Sequence, residues 1–495
     1  MKKLFANALT LTGTIVVVVN IGFILFLSAL QAMAEHPKPY ADIIIFMILP
    51  AFVFCGVLLI AAGISRERRK QRSRMGGRSR PLVIDFGQPA HRAAVVFFST
   101  AFLLLTLLYA FAGYKAFEYT ESDTFCTKIC HAVMGPEERS HHFLPHANVS
   151  CSSCHVGPGA GYFVAAKLKG TQQLYQVVTN TYRRPVPVPV EDLRPSRDIC
   201  ESCHGPKYTI TENLQRRAYY LSDDKNTPWT IDLMLNMGTS HITTDKPPMM
   251  HWHYTVAKEI EYATADPTRV AIPWVRAVGF DGKETIYYAK GAKSGAQVPQ
   301  GAEKRLMDCI DCHNRAGHGY YPGDMLANIL LAKSVLDPSL PGIKGITVKA
   351  LDATYGSTEE GREGISKTIT GFYEKNHPDI WAKRQDDIRR MTAEVQNVYE
   401  RNYDPHMKVS WKNFPDHRGH LYSPGCFRCH DGNHVSRDGK VLSKDCRLCH
   451  LLVKSERSKD AQSAVLTLAD YPHPIDVGDS YKEMNCSDCH GATAQ

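Results

Sequence analysis

Seven short stretches place two cysteines just ahead of a histidine. Six share the spacing Cys-x-x-Cys-His: Cys151/Cys154/His155, Cys200/Cys203/His204, Cys309/Cys312/His313, Cys426/Cys429/His430, Cys446/Cys449/His450 and Cys486/Cys489/His490. The first stretch in the chain, Cys126/Cys130/His131, is wider, with three residues between its cysteines. Together they use fourteen of the fifteen cysteines and leave Cys55. Two thiols at this spacing can add to the vinyl groups of a haem, and the adjoining imidazole then reaches the iron. Disulfides and tetrahedral zinc also use paired cysteines, but neither needs a histidine directly after the second one, six or seven times over. The sequence therefore predicts seven covalent c-type haems, assembled outside the cytoplasm.

Each iron has a second axial position. The chain holds 22 histidines, and fifteen of them lie outside the seven motifs. His36 and His91 fall in or beside the membrane loops described below. His146, His241, His251, His253, His318, His417, His420, His434 and His473 are candidate distal ligands. Two histidines per iron give six-coordinate haems suited to electron transfer. No motif ends in lysine, and no open catalytic haem is visible.

The elements that position these groups begin with three apolar runs, at about Leu9–Leu30, Ile43–Ile64 and Ala93–Gly113. Each is long enough to cross a bilayer as a helix. The loop after the second run is rich in arginine, which places it and the N-terminus in the cytoplasm and everything after Gly113 outside. A cleaved signal peptide is the rival for the first run, with Ala32-Met33-Ala34 as its cleavage site. Tyr114, Phe117 and Tyr119 follow the third run as an interfacial aromatic belt. Cys126 comes soon after, so the first haem is expected at the outer membrane surface, within reach of a lipid-soluble redox carrier. The net charge of +8 resides in the first 92 residues, leaving 93–495 formally neutral. That balance excludes a nucleic-acid partner for the large domain. Lys167 and Lys169 sit in an apolar segment with no acidic residue between Cys154 and Glu191. They read either as solvated headgroup contacts or as hydrogen-bond donors to a quinol. Thr268–Lys290 reads as a β-hairpin turning at Asp281-Gly282. Lys383–Asn402 reads as an amphipathic helix.

The predicted architecture is mainly α. A three-helix membrane anchor spans 1–113. A four-haem domain follows at 114–325, interrupted by an insertion at about 205–308 with a small β-hairpin region. A three-haem extension occupies 326–495. Little other regular structure is expected in the haem domain. The compact tail at 426–490 reads as the exit for electrons.

The membrane helix running into Cys126–His131, then SHHFLPHANVSCSSCHVGPG, KLKGTQQLYQVVTNTY, CESCH and CIDCHNRAGH, resemble the NapC/NirT family of membrane-anchored quinol dehydrogenases. The resemblance implies four haems, quinol oxidation at the outer face of the cytoplasmic membrane, and transfer to periplasmic partners. It adds Met134 as a ligand of the first iron, and His141 or His142 as a ligand of a neighbouring haem. It makes Lys167 or Lys169 a quinol-site residue. The acidic partner expected after that lysine is missing, so Glu137 and Glu138 become candidate proton acceptors. The whole layout is similar to seven-haem inner-membrane cytochromes of metal-reducing bacteria. The expected function is a menaquinol:cytochrome c oxidoreductase of the inner membrane, feeding periplasmic c-type cytochromes in anaerobic respiration that extends to extracellular metal oxides or electrodes. The expected partners are the quinol pool, those cytochromes and the lipid bilayer. Self-association is left open. The alternatives are a multihaem terminal reductase of a small oxyanion such as nitrite, or an anchor subunit feeding a separate periplasmic reductase.

Overall fold

The computed structural model describes residues 7–33, 45, 48–74, 86–129, 131–157, 159–188, 194–204, 212–238, 250–255, 257–279, 281–291, 298–457, 473–480 and 484–491. The chain forms two compact units, Met1–His131 and Ala132–Gln495.

The first unit is helical. It contains α1 (Ala8–Met33), α2 (Leu49–Arg74) and α3 (Pro89–Thr120). Within α1 and α2, Ala8–Ser28 and Leu49–Glu67 are long and apolar enough to cross a membrane. The third expected run lies inside α3, which continues past Gly113 through the exposed Tyr114 and Phe117. The first cysteine, Cys126, then sits on the short helix Asp123–Ile129. Helices α1 and α2 approach closely because small residues line their contact. A Cβ on Gly56 would come within 2.8 Å of Val17 and 3.0 Å of the Gly13 carbonyl. Gly63 abuts Thr10, and Asn7 donates to the Gly63 carbonyl at 3.2 Å. Small residues at such contacts let two backbones pack without the hydrophobic driving force that lipid removes.

The second unit is richer in regular structure than the sequence suggested. After α4 (His131–His141) and α5 (Ala160–Val178), the insertion folds into strands. These are β1 (Glu212–Tyr220), β2 (Pro228–Asn236), β3 (Glu259–Thr264), β4 (Trp274–Val278), β5 (Glu284–Tyr288) and β6 (Glu303–Leu306), with the short α6 (Trp252–Thr255) before β3. The expected hairpin is β4–β5, in register from Trp274–Tyr288 to Val278–Glu284. Its turn needs a residue with positive φ, and Gly282 supplies it at +75°. The hairpin belongs to a five-stranded antiparallel sheet in the order β6-β3-β4-β5-β7. A second sheet has the order β1-β2-β8. The edge strands β7 (Val435–Ser436) and β8 (His450–Arg457) both come from the tail. The expectation of little regular structure is corrected here: β7 is two residues long and β8 begins on a motif histidine, so neither shows a strand period.

The motif-free stretch holds the largest apolar core. It is built from α7 (Gly323–Ala332), α8 (Ile343–Asp352), α9 (Thr358–Asn376) and α10 (Pro378–Asn402). Ile365, Ile369 and Tyr373 of α9 meet Ile388, Met391, Val395 and Tyr399 of α10, all buried. Their spacing of three and four puts each set on one helix face. Ser357 caps α9 by accepting the Glu360 amide at 3.0 Å, and Pro378 opens α10. The amphipathic helix expected at Lys383–Asn402 is the latter part of α10.

A buried carboxylate joins the sheet to a haem motif. Asp311, inside the Cys309–Cys312 turn, is 1% exposed. It accepts Tyr262 Oη at 2.7 Å, Arg305 Nε at 2.7 Å, Arg269 Nη1 at 3.1 Å and the Asp308 amide at 2.6 Å. Tyr262 lies on β3 and Arg305 on β6, so the motif turn is pinned to two strands. Removing one partner of such a network leaves buried charge uncompensated.

Two outcomes follow. Asp311→Ala should destabilise the second unit by about 3 kcal/mol, because two arginines lose their counter-charge. Chemical denaturation of the full-length protein in detergent, followed by tryptophan fluorescence, measures it; Asp311→Glu should recover part of the loss. Gly56→Leu should overpack the α1–α2 contact, at a cost of about 1–3 kcal/mol. It should lower the melting midpoint of the membrane unit while leaving the absorption spectrum of the second unit unchanged.

Candidate haem sites

All six strictly spaced motif histidines face a histidine from elsewhere in the chain. The ring centres are 6.2 Å apart for His155 and His318, 5.9 Å for His204 and His146, and 6.3 Å for His313 and His251. They are 5.8 Å apart for His430 and His253, 6.0 Å for His450 and His420, and 6.4 Å for His490 and His473. Two imidazoles on opposite sides of one iron have ring centres roughly 6 Å apart, given metal–nitrogen bonds of about 2 Å and the half-width of each ring. The residues thus fit an iron held between each pair. Buried Nδ1 atoms of His420 and His450 have no hydrogen-bond partner among the described residues.

Second interactions set which ring nitrogen is free. Nδ1 of His146, His253, His318 and His473 faces the carbonyls of Ala316, Met250, Glu137 and Ile475 at 3.0, 3.1, 3.1 and 2.7 Å. Nδ1 of the motif histidine His430 faces the Ser443 carbonyl at 3.1 Å. A carbonyl can only accept, so the proton sits on Nδ1 and the lone pair on Nε2 is left for a metal. Burial holds His253, His318 and His420 down to about 4, so each imidazole is neutral, as a ligand must be.

Three other candidates have an oxygen close to both ring nitrogens. His141 faces the carbonyls of Gly317 at 3.1 Å and Val149 at 3.0 Å, one with each ring nitrogen. His417 faces those of Asp311 and Thr268, both at 3.1 Å. His434 bonds the Asp431 carboxylate at 2.9 Å and faces the Ile272 carbonyl at 2.7 Å. A neutral ring donates at only one of its two nitrogens, but an oxygen lies beside each of them, so neither side opens on clear space. His142 is exposed at an open cleft of about 540 Å³. His241 and Cys130 lie outside the described residues, so the wide first motif is described at Cys126 and, in its backbone, at His131. Met134 is half-buried in α4.

The motif sulfurs form a succession. Cys154 lies within electrostatic range of Cys200 and Cys203. Cys200 and Cys309 lie close enough for each to shift the other's titration. Cys312 lies near Cys426 and Cys429, and Cys426 contacts Cys449. Cys486 lies near Cys446 and near Cys489 of its own motif. Spatial neighbours thus follow chain order from the second motif to the seventh. None of the described cysteines forms a disulfide. Among the described residues, no group of three or more His, Cys, Asp or Glu is gathered at one point.

Cys489 departs from the rest of the tail. The other five tail motif cysteines are half-buried, whereas Cys489 is exposed, as are Cys154 and Cys203 in the earlier motifs. The cause is local. The motif forms the single helical turn Cys486–His490, and Ser487 is its buried residue. A residue two positions along a helical turn lies on the other side, so Cys489 points away from what covers Ser487. The six strict motifs, alike in spacing, therefore differ in enclosure: three of them present their second sulfur, Cys154, Cys203 or Cys489, at the surface.

The motif interiors carry charged residues whose role the sequence reading missed. Arg428, between Cys426 and Cys429, donates to the Asp311 carbonyl at 2.7 Å, the Arg269 carbonyl at 2.9 Å and the Gly425 carbonyl at 2.9 Å. The fourth and fifth motif turns are therefore hydrogen-bonded to each other. The signal was a charged residue inside a buried turn, in CIDCH and CFRCH. Gly425, at φ +54°, packs on the Gly419 carbonyl with no room for a side chain. That contact brings the fifth motif beside His420.

The quinol-site candidates lie on α4 and α5. Lys167 and Lys169 are half-buried on α5, with Lys167 Nζ 4.9 Å from the centre of the Phe163 ring. Val164, Leu168 and Tyr175 of the same helix are exposed. Glu137 is directed toward Tyr320 Oη at 3.5 Å, and its buried Oε2 has no partner among the described residues. Burial raises its pKa. Glu138 is half-buried on α4.

Residues 88–186 match the NapC/NirT cytochrome c family, N-terminal region. The chain is 36% identical to the cytochrome c-type protein ImcH of Geobacter sulfurreducens, over 99% of its own length and 96% of that protein's. It is 27% identical to the cytochrome c nitrite reductase subunit NrfH of Nitratidesulfovibrio vulgaris, over 22% of its length and 68% of that protein's. No solved structure matches the chain. Membership implies covalent c-type haem, and the motif geometry fits it. The chain belongs to the NapC/NirT cytochromes c, as an ImcH-like membrane multihaem cytochrome of electron transfer.

Proposed function

We propose that this protein oxidises menaquinol at the outer face of the inner membrane and passes the electrons through seven haems to periplasmic c-type cytochromes, in a respiratory chain ending at extracellular acceptors. The observation that carries this reading is the facing imidazole pair at each of six motifs, whose neighbouring cysteines follow chain order from the second motif to the seventh. A second histidine faces each of six motif histidines, and two histidine ligands per iron would suit carriage of electrons rather than substrate binding. A terminal reductase of nitrite or a similar oxyanion needs an open iron position. An anchor that serves a separate reductase has no need of the tail motifs, which here continue the succession.

In this reading three helices anchor the chain, with its N-terminus in the cytoplasm, and α3 leads out to Cys126. Covalent haem supplies one-electron carriers when bound. Quinol gives up two electrons and two protons and leaves as quinone. Lys167 and Lys169 orient its oxygens by donating hydrogen bonds, and Glu137 or Glu138 accepts a proton for release outside. The six facing histidine pairs would hold the haem irons, and carbonyls bonded to Nδ1 of His146, His253, His318 and His430 leave the Nε2 lone pairs of those rings for the metal.

Anaerobic mixing of the purified protein in nanodiscs with a naphthoquinol tests the reading through the haem α-band. Rapid reduction, blocked by a quinone-site inhibitor, is expected. Lys167→Ala with Lys169→Ala should slow it about tenfold or more with haem content intact, the worth of one hydrogen bond of ~1.5 kcal/mol to a charged group. A fully haem-loaded protein that dithionite reduces and naphthoquinol does not would overturn quinol entry.

A further inference from the structure

We infer that the turn His251-Trp252-His253 supplies two axial ligands at once: His251 to the haem attached at Cys309 and Cys312, and His253 to the haem attached at Cys426 and Cys429. One segment of the insertion would then couple the last haem of the four-haem half to the first haem of the tail. This rests on the covalent haem reading above and assigns ligands within it.

The two rings face different partners, His251 with His313 at 6.3 Å and His253 with His430 at 5.8 Å. Residues two apart on a helical turn do not share a face, so they suit two irons rather than one. Their Cα atoms cannot be more than about 7 Å apart, which ties the two irons to one short lever. The lever is fixed at several points. The Met250 amide donates to the Asn236 carbonyl at 2.9 Å, and the His251 amide to that of Met237 at 3.2 Å. Trp252 packs on the apolar core of the five-stranded sheet, together with Met307 and Cys429. His253 Nδ1 and His430 Nδ1 both donate to carbonyls, so the two Nε2 atoms are open toward the space between the rings.

The attachment turns meet independently of the histidines. Arg428 of one turn donates to the Asp311 carbonyl of the other at 2.7 Å. Cys312 lies close to Cys426 and Cys429. Sulfurs attach at the vinyl edge of a haem, so these contacts bring two haem edges together where one peptide turn holds both irons from their distal sides.

The test uses the full-length protein in detergent. His251→Ala and His253→Ala should each retain the wild-type haem content by pyridine haemochrome. Each should gain one high-spin haem per chain that binds carbon monoxide when reduced, and imidazole should restore the low-spin spectrum. The double variant should gain two. Trp252→Phe should gain none. Full haem content with no new high-spin haem in either variant would overturn the assignment, as would a double variant no different from a single one. If the alanine variants fail to mature, His251→Met and His253→Met decide. A thioether ligand should raise the midpoint potential of one haem in each, and unchanged potentials would overturn the assignment. Wild-type protein lacking covalent haem would instead remove the reading on which it rests.

Discussion

Asp311 sits where the two kinds of structure in the second unit meet. Its carboxylate ties a haem-attachment turn to β3 and β6, and its carbonyl receives Arg428 from the next attachment turn and faces His417. A buried carboxylate is costly unless its lone pairs are filled, and here a phenol, two guanidinium groups and an amide fill them. The network therefore has essentially one satisfied geometry. That geometry sets the angle between the fourth motif, the fifth motif and the sheet. A haem array needs such rigidity, because each ligand must hold its iron while the neighbouring groups are fixed in turn.

The histidines sort by the same accounting. His146, His253 and His318 each tie Nδ1 to a backbone carbonyl, which leaves the lone pair on Nε2. His141, His417 and His434 instead have an oxygen within hydrogen-bond distance of each ring nitrogen. His318 and His141 show the contrast at close quarters. His318 uses Nδ1 on the Glu137 carbonyl and turns its other side to His155. His141, 5.9 Å away, has a carbonyl beside each ring nitrogen. The loop after the fourth motif thus serves two purposes: its carbonyls orient His146 and His141, and its own His318 faces the second motif.

Much of the site was legible in the sequence because covalent attachment needs local spacing. The six strict motifs, the hairpin turn at Asp281-Gly282 and the amphipathic stretch of α10 all depend on near neighbours. The distal pairing is of another kind. His253 meets His430 across 177 residues, and His146 meets His204 only through the fold. Residue type could nominate His417 and His434 as readily as His253 and His420, because the decisive fact is what already occupies each nitrogen. Enclosure was equally hidden: spacing treats Cys489 and Cys429 alike, and only the packing around each turn separates them. The sheets were half legible: β4 and β5 alternate visibly, while β7 is too short and β8 starts inside a motif. Asp311 and Arg428 were overlooked because the residues between motif cysteines read as filler.

The strands β7 and β8 lie at the edges of sheets whose first strands come more than a hundred residues earlier in the chain. A polypeptide synthesised from its N-terminus presents β1 through β6 long before their last partners arrive. Neither sheet can reach its full width until those tail strands emerge, the second of them ending at residue 457. Pairing over such sequence separations is slow. The emerging chain therefore has an interval in which its cysteines stand in open peptide, accessible to whatever machinery joins them to haem. Final closure of the protein waits on its tail.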